Sequence, residues 1–318
     1  MKFRKICVLC IIFCISICIM TGCKKKEQKG EEENKKLNVV TTIYPYYDFV
    51  KHIAGDKVNL SAIVPAGEDM HSFEPNSTDM SHVLKADILI YNGGESEKWV
   101  DSLLKVKEKD ARHIKRVSMM SNASVIVNSL YENGEIKKPE KTVEYDEHLW
   151  TAPLCAEKIV SIIEKSLSDN DKNNADYYRK NADKYKKELE QLDYEFREVV
   201  ENGKTKHVIF ADRFSLRYLA EELRLSYSAA YPTCGVYQAP KKQTVSYLKE
   251  RIKEEKLPVI FKNEITKSNV AEKIAKKTGA DVEVFNTCHT VSEKQFEDGV
   301  SYIDLMKKNV DILKKALK

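Results

Sequence analysis

Between residues 178 and 199 the apolar positions Tyr178, Ala182, Tyr185, Leu189, Leu192, Phe196 and Val199 recur at alternating intervals of four and three. That spacing places them on one stripe of a continuous α-helix. With its flanks the helix reaches about 30 residues before Gly203, roughly 45 Å at 1.5 Å per residue. A helix of this length is either half of a bundle or a spine between two lobes, and the sequence on both sides favours the spine. Before it, residues 37–43 (LNVVTTI), 58–64 and 86–91 read as strands, with helical stretches at 44–54 and 79–84 between them. After it, strands at 207–211, 225–231, 258–261 and 282–285 alternate with helices at 214–223, 245–255, 269–278 and 302–317. Alternating strands and helices imply mostly parallel sheets covered on both faces. The expected fold class is α/β: an N-terminal lobe over 37–153, a connecting helical spine over 154–203 and a C-terminal lobe over 204–318. Ligands of such sheets bind beyond the carboxyl ends of the strands, so a cleft between the lobes is the place to look for a site.

The N-terminus sets the compartment. Lys2, Arg4 and Lys5 precede an apolar run over 6–20, followed by Met20-Thr21-Gly22-Cys23. A charged start, a short apolar core and small residues before the cut make a bacterial secretory signal over 1–22. The run is short of the roughly 20 residues that span a membrane. Its ending resembles a lipobox, in which Cys23 carries the lipid and becomes the mature N-terminus; an uncleaved anchor is the alternative. Both put the rest of the chain outside the cytoplasm, held at the bacterial cell membrane. Residues 23–36 are rich in Lys and Glu and read as a flexible tether.

The formal net charge is only +4, and Lys2, Arg4 and Lys5 belong to the signal, so the mature chain is close to neutral. Nothing in that balance points to nucleic acid. Of the eight cysteines, Cys7, Cys10, Cys14 and Cys18 lie in the signal and Cys23 takes the lipid. Cys155, Cys234 and Cys288 remain, an odd set that allows one internal disulfide at most. There is no His-Glu-x-x-His helix and no Gly-x-Ser-x-Gly turn, so an enzyme is not expected.

Metal-binding side chains fall just after predicted strand ends. His71 lies in a loop running from Pro65 to Pro75 (PAGEDMHSFEP), and His148 in the segment from Asp146 to Pro153 (DEHLWTAP). A lone loop histidine is usually only solvated or hydrogen-bonded, but the surrounding motifs change that weighting. The chain resembles the zinc/manganese cluster of ABC-importer binding proteins through Pro-x-Gly-x-x-x-His-x-x-Glu-Pro at 65–75 and through Ala86-Asp87, Asn92-Gly93 and Glu97-Lys98-Trp99. It also resembles that family through Asp-Pro-His-x-Trp-x-x-Pro at 146–153, with Glu147 in place of Pro, and through Tyr302, Met306, Asn309 and Leu313 near the end. The resemblance spans the mature chain in order. It implies two α/β lobes joined by one long helix, a metal between them, His71 and His148 as N-lobe ligands, and ABC permease and ATPase subunits as partners of a monomeric capture protein. The metal it implies is zinc first, with manganese, copper or a metal chelate as alternatives. A second role as a surface adhesin is neither supported nor excluded.

The C-terminal lobe departs from that pattern. Where the family places a third His or Glu, this chain has Arg213, which has no lone pair to give a cation. The family's terminal carboxylate position is taken by Asn286. Donors stand nearby: Cys234 after a strand and a Pro232-Thr233 turn, and Cys288 and His289 after the last strand. The preferred ligand set is His71, His148, Cys234 and His289, with Cys288 as the alternate. Imidazoles with a thiolate suit zinc and argue against manganese. A Cys234–Cys288 disulfide, with Asp212 or Glu264 completing the site, remains open, and Cys155 reads as a buried small hydrophobe. His52, His82, His113 and His207 read as surface or strand-end residues. Residues 131–147 contain no histidine, so the metal-gathering His-rich loop of some zinc members is absent.

Overall fold

Val39, Val40, Ile88, Leu89 and Ile90 are all buried, so two neighbouring strands carry apolar side chains on both faces. Such strands need helices on both sides of their sheet, and the fold supplies them. The computed structural model describes residues 35–318 apart from 133, 135, 137, 139–143 and 235–238. The expected signal peptide, Cys23 and nearly all of the expected tether lie outside the described residues.

The first lobe runs β1 (Asn38–Thr41), α1 (Tyr44–Ala54), β2 (Asn59–Ala62), α2 (Ser77–Leu84), β3 (Ile88–Tyr91), α3 (Lys98–Val106), β4 (Lys115–Ser118) and α4 (Ala123–Asn128). Its sheet has the order β2-β1-β3-β4, all parallel. Local chemistry sets the helix starts. Pro45 opens α1, where its missing N–H costs nothing. Asn76 and Asp79 form a reciprocal capping box at α2, which fixes the downstream end of the His71 loop.

Two helices follow, α5 (Pro153–Asn170) and α6 (Ala175–Glu201). The second lobe then runs β5 (His207–Arg213), α7 (Arg217–Glu222), β6 (Ser226–Tyr231), α8 (Lys242–Glu255), β7 (Val259–Asn263), α9 (Val270–Thr278), β8 (Asp281–Phe285), α10 (Glu293–Glu297) and α11 (Tyr302–Ala316). Its sheet repeats the pattern of the first, β6-β5-β7-β8, all parallel. The expected fold, two parallel α/β lobes linked by a long helix, is the one observed.

The differences have physical causes. β4 was not anticipated: its sequence, KRVS, begins with two exposed charges and buries only Val117. The expected spine is a hairpin of two helices, since Asp171 caps a turn by accepting from the Asn174 amide at 3.3 Å and α6 packs back along α5. The long member, α6, has 27 residues and is about 40 Å long. Tyr178, Ala182, Tyr185, Leu189, Leu192 and Phe196 are buried as the stripe requires, whereas Val199 is half-exposed and Val200 takes its place in the core.

One apolar cluster runs from Val39 and Ile88 of the first sheet, through the α5–α6 hairpin, to Phe210, Phe261 and Phe285 of the second. Two smaller clusters cover the outer faces of the sheets. Asp48 of α1 stitches this core together by accepting from Tyr185 of α6 and from the Tyr302 amide of α11, both at 3.1 Å.

The stripe on α6 gives a stability test. Phe196 is fully buried in the shared core, so Phe196→Ala is expected to destabilise the metal-free protein by about 3–5 kcal/mol. Tyr194, on the exposed face of the same helix, should tolerate Ala within about 0.5 kcal/mol. Urea denaturation followed by far-ultraviolet circular dichroism measures both, and equal effects would contradict the assigned face.

Candidate metal centre

Three loops beyond the carboxyl ends of parallel strands, and the segment entering α5, bring four side chains together. His71 comes from the loop after β2, Cys234 follows β6, His289 follows β8, and His148 precedes the short helical turn Leu149–Thr151. One potential ligand atom from each lies within 4.8 Å of every other. His71 Nε2 stands 3.2 Å from both His148 Nε2 and His289 Nε2, and Cys234 Sγ is 3.8 Å from His289 Nε2. Trp150 walls the cluster, with its ring edge-on to His148 and His289 at 5.5 and 5.2 Å.

The far nitrogen of each ring is tied to a carboxylate, directly or through one hydroxyl. His148 Nδ1 donates to Asp146 at 2.6 Å. His71 Nδ1 meets Ser96 Oγ at 2.8 Å, and that hydroxyl donates to Glu147 at 2.6 Å. His289 Nδ1 meets Thr287 Oγ1 at 2.5 Å, and Thr287 donates to Glu264 at 2.8 Å. A hydroxyl has a single proton, and a carboxylate can only accept. The Ser96 and Thr287 protons are therefore spent on Glu147 and Glu264, and both rings must donate from Nδ1. All three rings thus commit Nδ1–H behind them and turn Nε2 to the common centre, the outer-shell arrangement of metal-binding histidines.

Backbone detail supports these ties. Gly94 has φ +81°, and a side chain there would run into Glu147 at 2.7–3.0 Å. Only glycine lets that loop close over the Glu147 carboxylate, which also accepts from the Glu95 and Ser96 amides. Asn92 holds the Glu147 carbonyl at 3.0 Å. Trp150 Nε1 donates to the Thr287 carbonyl at 2.9 Å, and the Tyr302 hydroxyl donates to the Trp150 carbonyl at 2.7 Å.

The protons sort accordingly. Burial pushes His71 down to about 4, helped by the charge of His148. Burial, then the charges of His148 and His71, hold His289 well below the ordinary imidazole range. Burial also opposes charge on His148, but the Asp146 carboxylate, then the Cys234 thiol, outweigh it and push the ring up to about 10. One proton on His148 thus relieves the clash of three converging lone pairs in the metal-free site.

The other candidates stand apart. Cys288 is buried, with Sγ 4.0 Å from the Asn286 carbonyl and outside the four-residue group. Cys155, Cys234 and Cys288 are free thiols, so no Cys234–Cys288 disulfide forms. Asn286 does not face the site: its amide and side chain both donate to Asn309 Oδ1, at 2.8 and 3.1 Å. Asp212 accepts from the Arg213 and Asn263 amides at 2.8 and 3.1 Å, and Glu264 acts on Thr287; neither joins the group. Arg213 pairs with Asp69 at 2.8 Å. His52, His82 and His113 are exposed, and His207 sits at the start of β5 against Glu255. Sequence reasoning missed Ser96, Asp146, Glu147 and Thr287. Asp146 and Glu147 carried a signal, the first as a matched residue of the motif around His148 and the second as its departure.

Two parallel α/β lobes, a long linking helix and a largely buried nest of imidazoles and a thiol between the lobes define a two-lobed metal-receptor architecture. Residues 39–316 match the family described as ZnuA, zinc-uptake complex component A, periplasmic, and the chain belongs to that family. It is 32% identical over 314 residues to the high-affinity zinc uptake system protein ZnuA of Bacillus subtilis, covering 96% of this chain and 97% of that protein. It is 28% identical to the zinc-binding lipoprotein AdcA of Streptococcus pneumoniae over 97% of this chain, and spans 59% of that longer protein. The crystal structure of the Zn(II)-bound ZnuA-like domain of Streptococcus pneumoniae AdcA superposes with a TM-score of 0.71 at 28% identity. That match covers 89% of this chain and 99% of the domain. These relatives are named as uptake or binding components, not as enzymes.

The proton arrangement is testable without metal. His148 titrates above its ordinary value of 6.5, so its ion pair with Asp146 contributes fully below about 6.5 and is lost as pH rises through about 10. Asp146, held below its ordinary 3.8 chiefly by the His148 bond against the opposing effect of burial, sets the acid limit of the same contribution. Nitrogen-15 spectra of metal-free protein at pH 7 should show one imidazolium and two neutral Nδ1–H rings in the cluster. Asp146→Asn should bring the His148 titration down and destabilise the metal-free fold at neutral pH. Three rings titrating together near 6.5 would contradict this.

Proposed function

We propose that this protein captures zinc outside the cytoplasm with His71, His148, Cys234 and His289 and delivers it to the permease of an ABC importer, whose ATPase drives uptake. The observation that supports this most is the convergence of three oriented Nε2 atoms and one sulfur within 4.8 Å. Zinc accepts four tetrahedral nitrogen and sulfur ligands. Manganese prefers oxygen donors, and no carboxylate belongs to the group. Zinc is cargo here, so the protein must bind it and also release it.

The relatives named for zinc uptake and zinc binding support the same reading. Cys23 is proposed as the lipid-bearing residue, with the following residues as a tether that leaves the two lobes free to meet the permease as a monomer. No described helix is long and apolar enough to cross a membrane.

Bound zinc needs neutral rings and a thiolate, so binding displaces protons, including the one held on His148. Affinity is therefore expected to rise with pH between about 6 and 8. His71→Ala and His148→Ala should each weaken zinc binding at least about tenfold, on the order of 1.4 kcal/mol, and Cys234→Ser should weaken zinc more than it weakens manganese. Competition titrations against a chromophoric chelator measure all of these. Parent-like zinc affinity in both histidine variants would overturn the proposal.

A further inference from the structure

Arg213 sits where relatives would be expected to offer a ligand, at the carboxyl end of β5, and it is nearly buried. Its two terminal nitrogens reach different loops. Nη2 donates to Asp69 Oδ2 at 2.8 Å, across the cleft in the first lobe. Nη1 donates to the backbone carbonyl of Cys234 at 3.1 Å in its own lobe. The other oxygen of Asp69 accepts from the backbone amide of His71 at 3.0 Å. One guanidinium thus grips the main chain beside one ligand directly and beside another through a single carboxylate. Asp69 and Arg213 line a cleft of about 610 Å³ together with Gly67, Asp212 and Lys267. A second bond crosses the same cleft, from the Gly67 amide to Thr290 Oγ1 at 2.9 Å, next to His289.

We propose that Arg213 is a positioning residue: with Asp69 it clasps the two lobes and holds the Cys234 and His71 loops at ligand distance, which slows the escape of zinc. The proposal rests on the zinc-capture reading given above. A planar guanidinium can serve two acceptors in different directions, and its bond to a carboxylate is strengthened by charge. Lysine, a compact charge whose three donors rotate together on one nitrogen, cannot reach the Asp69 carboxylate and the Cys234 carbonyl with the same fixed fork. The residue that removes a ligand from the site therefore acquires a different use there. It leaves the donors to Cys234 and the histidines and binds the loops that carry them.

The test uses the full mature chain loaded with Zn²⁺, with release followed after mixing with excess EDTA. Arg213→Gln and Asp69→Asn should each speed zinc release at least about tenfold, and Arg213→Lys should fall between them and the parent. The double variant should release no faster than the quicker single variant, because both changes break one coupled unit. The unfolding midpoint of the metal-free variants should stay within about 2 °C of the parent, which corresponds to well under a large stability loss for a chain of this size. A purely structural role would lower that midpoint and leave release unchanged. If Arg213→Gln does not fold, the near-isosteric Asp69→Asn carries the test. Release at the parent rate, or effects that multiply in the double variant, would overturn the clasp. A parent chain that fails to retain zinc would overturn the capture reading first, before any variant is compared.

Discussion

His71 Nε2, 3.2 Å from both His148 Nε2 and His289 Nε2 and beside a thiol, cannot rest among bare lone pairs, and a proton or a cation has to hold the group together. This constraint organises the region between the lobes. Each ring is turned to the centre by a carboxylate behind it, and each carboxylate is fixed in turn by backbone amides or a neighbouring hydroxyl. A soft ring on a mobile loop would swing away from such a crowd. A ring with its Nδ1–H committed at 2.5–2.8 Å to a partner stays in place. The candidate site is thereby ordered without a cation, and under the proposed function little ordering would remain for binding to accomplish.

That preparation depends on the scaffold. The ligands come from both lobes and from the segment entering α5, so their mutual positions are only as definite as the packing of the lobes. The continuous apolar core through the α5–α6 hairpin supplies that definition. So do Trp150, which links the His148 segment to the loop bearing His289, and Tyr302, which links it to α11. Over this frame the cleft is closed by a small number of polar bonds, among them Arg213 to Asp69 and Gly67 to Thr290. These bonds lie outside the apolar core, as the proposed capture and release of zinc would require.

Much of the fold was legible in the sequence because it is written in local patterns. The stripe from Tyr178 to Phe196 and the Gly279 stop after α9, where φ is +83°, each follow from a few neighbouring residues. The break at Asp171 was not read, because 153–170 is as helical in composition as the residues that follow. β4 escaped because an edge strand with two leading charges has no alternation to show. The candidate site was legible in its donors, which are chemically distinctive, and not in their supports. Thr287 and Ser96 are ordinary hydroxyl residues until the fold sets them behind a ring. The Arg213–Asp69 pair is separated by 144 positions, and no local pattern announces it. Asn286 turns to Asn309 on α11, and that amide pair is likewise a tertiary fact.

The proposed metal shell contains three imidazole nitrogens and one thiolate sulfur. X-ray absorption at the zinc edge on protein purified without added metal, then loaded with one equivalent of zinc, addresses it directly. Nitrogen scatterers are expected at about 2.0–2.1 Å and a single sulfur at about 2.3 Å, with the sulfur lost in Cys234→Ser. A shell of nitrogen and oxygen alone, or a sulfur that persists in Cys234→Ser, would contradict it.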